Sequence, residues 1–301
     1  MIPQFPEFKK LELSDKDEIE NFTKKFSPYS DFNFVSMWSW DTRGDMAVSS
    51  LNNNLIVRFN DYLSKEQFYS FIGDNEVEKT INLLSDFSMK NGLGSKLRLI
   101  PEEIRFLNAT NSFIIIPDQD NFDYIYNVND FFACEGKKYE TQRNQINRFK
   151  KSNFNISTKV FSSFDEIKDD ILKLEFEWKA AKMQQDRILE FINESEAMSR
   201  ILKLDFSNFR TVCIYCDDKL IGFCINEIIP NTQYALAHFA KANTNFSGIY
   251  SFLLHETCKI LIQEKRLFLN YEQDLGVEYL RHSKSSFRPI KFLKKNTIIK
   301  Q

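Results

Sequence analysis

Histidine is scarce in this chain, and the three present do not suit a zinc site. His255-Glu256 lacks the second histidine that a metalloprotease helix requires. Gly92-Leu93-Gly94 is too short to form a nucleotide phosphate loop. The five cysteines, Cys134, Cys213, Cys216, Cys224 and Cys258, are odd in number and show no paired spacing, which excludes a disulfide framework and suits a reducing compartment. Cys213 and Cys216 form a CxxC inside the apolar, strand-like run TVCIYC, where positions three apart face opposite sides of a sheet, so a metal or redox pair is not expected there. No apolar run approaches the roughly 18 residues that cross a bilayer. The start MIPQFPEFKK lacks the pattern of a signal peptide, and the sequence therefore predicts a cytoplasmic protein. Acidic residues stop at Glu278, although the chain as a whole is acidic, with a formal net charge of -2.

That last absence points to what is present. Between residues 137 and 151 the cations Lys137, Lys138, Arg143, Arg148, Lys150 and Lys151 meet one acid, Glu140. A second basic run closes the chain with Arg281, Lys284, Arg288, Lys291, Lys294, Lys295 and Lys300. Segregated charge of this kind predicts an anionic partner. The length of 301 residues fits two domains, and 43% hydrophobic with 27% charged residues is a globular composition. The 30 phenylalanines are read as core material.

The chain is read as two domains, 1–134 and 135–301, with the basic helix opening the second. In 1–134, Ser14-Asp15 caps a helix carrying Ile19, Phe22 and Phe26, and Asn52-Asn53-Asn54 joins strands 46–50 and 55–59 as a hairpin. Val77, Ile81, Leu84 and Phe87 define an amphipathic helix within 74–91. Strands follow at 96–100 and 113–116, with a helical turn over 101–108 and a short strand or turn over 123–130. In 135–301 the order is basic helix, strand 155–161, helices 164–191 and 194–204, strands 211–216, 220–229 and 234–241, helix 248–264, strand 267–271, helix 277–283 and a last strand near 288–293. Tight hairpins stand where a doubly wound parallel sheet needs helical crossovers. This order resembles the acyl-CoA N-acyltransferase fold and implies an α+β chain of two tandem units of that kind, with mixed, mostly antiparallel sheets flanked by helices.

Two segments carry a closer resemblance. YIYNVNDFFACEGKKYETQRNQINRFKK (124–151) and NYEQDLGVEYLRHSKSSFRPIKFL (270–293) resemble the family typified by the C-terminal domain of bacterial phosphatidylglycerol lysyltransferases. Arg143-Asn144-Gln145-Ile146-Asn147-Arg148 also echoes a motif of the peptidoglycan branching enzymes that draw on aminoacyl-tRNA. The resemblance implies transfer of an aminoacyl group from aminoacyl-tRNA to an acceptor, in the second domain. An acyl-CoA-dependent N-acetyltransferase and a non-catalytic binding protein of the same fold stay open as alternatives.

Candidate residues follow from that chemistry. Acyl transfer to an amine needs a base and oxyanion donors. His238 is a candidate base, equally readable as a hydrogen-bonded core histidine. Glu272 and Asp274, just past a strand end, are candidates for a base or an amino-group ligand, or else a paired Glu and a loop-capping Asp. Arg143 and Arg148 are read as phosphate ligands or solvated cations, while Tyr139, Ile146 and Phe149 form the buried stripe of their helix. Lys284 and Arg288 are further candidates for phosphate or head-group binding, and Lys241 and Tyr250 bound the cleft with Glu272. The loop Asn245-Phe246-Ser247-Gly248-Ile249-Tyr250 keeps only the middle glycine of a coenzyme A pyrophosphate loop. No metal and no cofactor is therefore expected, with acetyl-CoA disfavoured. The expected partners are aminoacyl-tRNA, another anionic ligand or an anionic lipid surface.

Overall fold

Asn52 and Asn53 adopt left-handed conformations (φ 52° and 60°), which asparagine tolerates better than most residues. They close the hairpin expected there, and its strands pair antiparallel from Ala47↔Arg58 to Leu51↔Asn54. The computed structural model describes residues 1–104, 112–152, 155–183 and 192–301. In chain order these form β1 (Lys9–Lys10), α1 (Lys16–Thr23), α2 (Phe34–Trp40), β2 (Ala47–Leu51), β3 (Asn54–Asn60), β4 (Gln67–Ile72), α3 (Val77–Lys90), β5 (Lys96–Pro101) and β6 (Phe113–Pro117). There follow β7 (Asp123–Asn127), α4 (Val128–Ala133), α5 (Glu140–Lys151), β8 (Ile156–Phe161), α6 (Lys168–Met183), α7 (Ile192–Ile201), β9 (Phe209–Cys216) and β10 (Lys219–Ile228). The chain ends with β11 (Tyr234–Ala242), α8 (Ile249–Gln263), β12 (Phe268–Asn270), α9 (Glu278–Ser286), β13 (Lys291–Leu293) and β14 (Lys295–Lys300).

Two compact units emerge, and no single cut in the sequence separates them. The first is Met1–Asp123 with Gln273–Val277 and Leu293–Gln301, and the second is Tyr124–Glu272 with Glu278–Phe292. Each is built around a mixed seven-stranded sheet, of order β1-β2-β3-β4-β5-β14-β6 in the first and β13-β7-β12-β11-β10-β9-β8 in the second.

In the first unit α3 lays Val77, Ile81 and Leu84 against Ile56, Phe71, Leu97, Ile100 and Ile298. Fully burying one such aliphatic side chain contributes about 1.5–3 kcal/mol, so this one face secures α3 to the sheet. β4 and β5 run parallel and touch in register at Tyr69↔Leu97. The sequence reading did not assign α2, whose Asn33 cap accepts the Ser36 amide at 3.0 Å. It also did not assign β4. Of the helical turn expected over 101–108, Pro101 also ends β5 and opens a turn in which the Ile104 N–H donates to its carbonyl at 3.1 Å, and 105–111 lie outside the described residues.

The last strand is a correction. A strand forms at 291–293, but the chain then adds β14, which inserts between β5 and β6 of the first unit's sheet. Its polar reading KNTIIK hides three buried positions, Lys295, Asn296 and Ile298. The basic tail is consequently not one surface. Lys294 pairs with Glu102 (3.4 Å), Lys300 with Asp86 (2.6 Å), and Lys295 is fully buried between Asp31 and Asp123, 2.7 Å from the latter.

The second unit packs α5 and α8 on one side of its sheet. Tyr139, Ile146 and Phe149 are buried there, as the 3.6-residue period predicts, with Phe149 stacked on Phe252 at 4.5 Å between ring centres. Residues 123–130 resolve into β7 and the start of α4, capped by the Asn127 side chain, which accepts the Asp130 amide. The helix expected over 164–191 is α6 from Lys168 to Met183, and 184–191 lie outside the described residues. Among the described residues no helix is long and apolar enough to cross a membrane.

Candidate active site

β11 and β12 run parallel, yet they pair only from Tyr234↔Phe268 to Leu236↔Asn270. Beyond that point β12 ends and β11 continues to Ala242, so the edge of β11 from Ala237 onward is not paired with β12. A β-bulge decides which side chains line it. Against β10 the register moves from Ile225↔Phe239 to Asn226↔Ala237, leaving His238 as the extra residue. Side chains of a regular strand alternate, so Ala237 and Ala242 would face opposite ways. Both instead join the core against α5 and α8. The same change of parity puts His238 and Lys241 together on the other side.

His238 is buried between two carboxylates. Its Nε2 lies 3.1 Å from Glu227 Oε2 and its Nδ1 3.6 Å from Glu272 Oε1. Burial alone would lower the imidazolium's pKa, but Glu227 and Glu272 outweigh it and lift His238 to about 9. Glu227 and Glu272 thus favour the imidazolium form of His238, in which both ring nitrogens carry a proton to donate. Glu227, inside β10, also accepts from the Asn208 side-chain amide at 2.9 Å.

Glu272 has a left-handed backbone (φ 56°), an uncommon state for a residue with a side chain. Neighbouring groups hold it there. Its N–H donates to Asn270 Oδ1 (2.8 Å), its carbonyl accepts the Tyr124 amide (3.1 Å), and Lys284 Nζ donates to the carbonyl of Tyr271 (2.6 Å). Strain of this sort persists where surrounding structure over-determines it, and such places cluster at functional sites. Asp274 lies two residues further on. It belongs to the first unit, where its carboxylate accepts the Gly276 amide at 2.8 Å as a turn cap.

Lys241 donates to Glu194 of α7 at 2.7 Å and sits 3.6 Å from the ring centre of Trp178 on α6. Trp178 Nε1 donates in turn to the Tyr250 hydroxyl (3.1 Å), which also accepts the Ala242 amide (3.3 Å). Two donors on the oxygen leave the phenol its own proton to offer. Burial raises Tyr250 to about 12, so that proton is retained. Tyr250 and Lys241 thus both contact Trp178, and Lys241 also holds Glu194.

The remaining cations divide by what they touch. Arg143 donates to the carbonyls of Cys134 (2.5 Å) and Gly136 (3.2 Å), tying down the left-handed end of α4. Arg288 Nε donates to the Lys138 carbonyl at 3.2 Å, which joins the segment after α9 to the start of the basic region. Arg148 is exposed on α5. Gly248 caps α8 at φ 87°, and a Cβ there would lie 2.3 Å from the backbone oxygen of Gln145. The glycine kept from the coenzyme A loop is thus required by the packing of α8 on α5. Among the described residues no group of His, Cys, Asp and Glu is arranged to hold a metal ion.

Residues 24–298 match the family model described as phosphatidylglycerol lysyltransferase, C-terminal. The chain belongs to that family. Among solved structures, a conserved protein of unknown function from Bacteroides thetaiotaomicron is 25% identical, with all of both chains covered and a TM-score of 0.85. The L-PGS structure from Bacillus licheniformis is 13% identical with a TM-score of 0.63, over 100% of this chain and 94% of that one. FemX is 9% identical with a TM-score of 0.56, over 96% of each chain. These likenesses establish the fold, two tandem N-acyltransferase-like units with mixed sheets flanked by helices. No curated protein matches the chain.

Glu227, Trp178 and Glu194 are the site residues that sequence reasoning missed. Only Glu227 left a signal, as a carboxylate within the apolar run GFCINEII, where burial without a partner is costly.

Proposed function

We propose that this chain is an aminoacyltransferase that moves an aminoacyl group from aminoacyl-tRNA to an amine or hydroxyl acceptor at the open edge of β11. The observation that carries this reading is the line Glu227–His238–Glu272, which ends in a carboxylate at the cleft. In the reaction the acceptor's nitrogen or oxygen bonds to the acyl carbon and the ester bond to the tRNA ribose breaks. The acceptor's proton ends on the leaving ribose oxygen. Glu272 is suited to hold the donor's α-ammonium or to receive the acceptor's proton. The Tyr250 phenol is suited to donate to the carbonyl oxygen as negative charge develops on it.

Family membership supports a transferase of this type, since the family bears the name of a lysyltransferase. Arg148 and Arg288 are the cations best disposed to bind the tRNA backbone or another anion, because both are exposed, Arg148 in the last turn of α5 and Arg288 after α9. Arg143, Lys284 and Lys241 serve chiefly to hold backbone and side chains in place. The occupation of Gly248 by helix packing supports a donor other than coenzyme A, and the reading assigns no cofactor.

The test is direct. Purified chain is given tRNA charged with radiolabelled amino acids and, separately, phosphatidylglycerol vesicles or small amines as acceptors. Label should pass to one acceptor class, and Glu272→Gln should slow it about 10²–10⁴-fold. If no label moves and acetyl-CoA instead raises the melting temperature, the reading is wrong.

A further inference from the structure

Glu227 lies in the interior of β10, and its side chain is almost wholly enclosed, at 2% exposure. A carboxylate in such a place needs partners, and its partners include a ring nitrogen of His238 at 3.1 Å and the Asn208 amide at 2.9 Å. His238 is equally enclosed, and it is the bulge residue whose placement depends on the irregular register of β10 and β11. Its second nitrogen is turned to Glu272, the one member of the row with appreciable exposure, at 15%. The row therefore runs from an enclosed anion through an enclosed cation to an anion at the cleft. The charged groups that face His238 include Glu227 from β10 and Glu272 from the segment after β12, while β9 presents the Phe209 ring at 6.4 Å.

Resting on the aminoacyl-transfer reading of the cleft, we infer that Glu227 is a positioning residue for it. Its carboxylate anchors the His238 ring in the bulge, and the anchored ring orients the Glu272 carboxylate toward substrate. A neutral ring has one N–H and can donate to only one of its two neighbours, whereas an imidazolium donates to both. Two flanking carboxylates hold it in the doubly protonated form. Glu227 thus governs the direction of a group it does not touch, through a ring whose charge it helps to set.

The protonation of the ring is readable without substrate. In protein labelled with ¹⁵N-histidine, His238 should be doubly protonated at pH 8, and in Glu227→Gln its titration midpoint should fall by about 1–3 pH units. In the transfer assay the same variant should lose kcat about 10–100-fold with KM for aminoacyl-tRNA unchanged, and Glu227→Asp should recover part of that loss. A neutral His238 at pH 8 in the wild type, or an unmoved midpoint in folded Glu227→Gln, overturns the inference. If Glu227→Gln does not fold, Glu272→Gln removes the other carboxylate, and an unmoved midpoint there overturns it too. A wild-type chain that transfers no label while its ring titrates as stated overturns the proposed reaction and supports the anchoring role of Glu227.

Discussion

Both units bury charge, and they differ in where the charge leads. In the first, Lys295 and both of its carboxylate partners, Asp31 and Asp123, are fully enclosed. Ser30 donates to Asp123 (2.6 Å) and Tyr62 to Asp31 (3.1 Å). Burial alone would lower the Lys295 ammonium's pKa, and Asp123 and Asp31 more than reverse it. Every arm of this cluster ends in protein, so its work is architectural, fastening β14 and the 273–277 segment into the first unit. In the second unit the row of charge ends at Glu272, which is partly exposed just past the end of β12. A closed network specifies a fold, and an open one is available to a ligand.

The glycines before α3 and α8 extend the contrast. At Gly73 the space for a Cβ is taken by the Asn54 side chain, 2.1 Å away, which also bonds the Asn75 backbone at 2.7 and 3.1 Å. At Gly248 it is taken by backbone, the Gln145 carbonyl. The loop before α3 is fastened by a side chain, whereas α8 is held helix against helix.

The largest effect should come from the closed network. Lys295→Met leaves two carboxylates enclosed without their cation and should cost about 3–5 kcal/mol of unfolding free energy in urea titration. A loss below about 1 kcal/mol would mean that the cluster is not the fastener described here.

Next is the open row, through pH. His238 is held at about 9 in the folded chain, against about 6.5 when unfolded. Because the folded pKa is the higher one, its contribution is fully present below pH 6.5 and is lost as pH rises through about 9. That contribution is on the order of 3 kcal/mol. Urea unfolding at steps from pH 6 to 9.5 should show the decline in the wild type and a smaller one in His238→Gln.

Gly248→Ala should cost about 1–3 kcal/mol, since strain at positive φ adds to a clash with backbone. Removing the Gln145 side chain should not relieve it. Gly73→Ala, by contrast, should be milder in an Asn54→Ala background than in the wild type. Equal losses in both backgrounds would remove the distinction between the two loops.

The smallest effects separate cations on α5. Arg143→Ala loses its bonds to the Cys134 and Gly136 carbonyls and should cost about 1 kcal/mol in thermal unfolding. Arg148→Ala should stay within about 0.5 kcal/mol of wild type, yet weaken binding to tRNA and reduce its dependence on salt. Reversal of that order would exchange their assigned roles.

Local pattern determined a good deal of this protein. The stripe Tyr139, Ile146 and Phe149, the Asn52-Asn53 turn, the face of α3 and the meander β9-β10-β11 were all legible. In each case the residues that decide the element lie within a few positions of one another, where helical or strand period and turn chemistry act. The segments 124–151 and 270–293 likewise carried the family. Tertiary structure alone decided the rest. Lys295 reads as one more cation of a basic tail until β14 pairs with β5 and β6 and encloses it with residues 264 and 172 positions away. His238 reads equally as a base or a hydrogen-bonded core histidine, and no period in the sequence announces the carboxylates of Glu227 and Glu272 beside it or the bulge that turns it and Lys241 to one side. A side chain's charge state and direction depend on what long-range folding puts beside it, and spacing along the chain does not encode that.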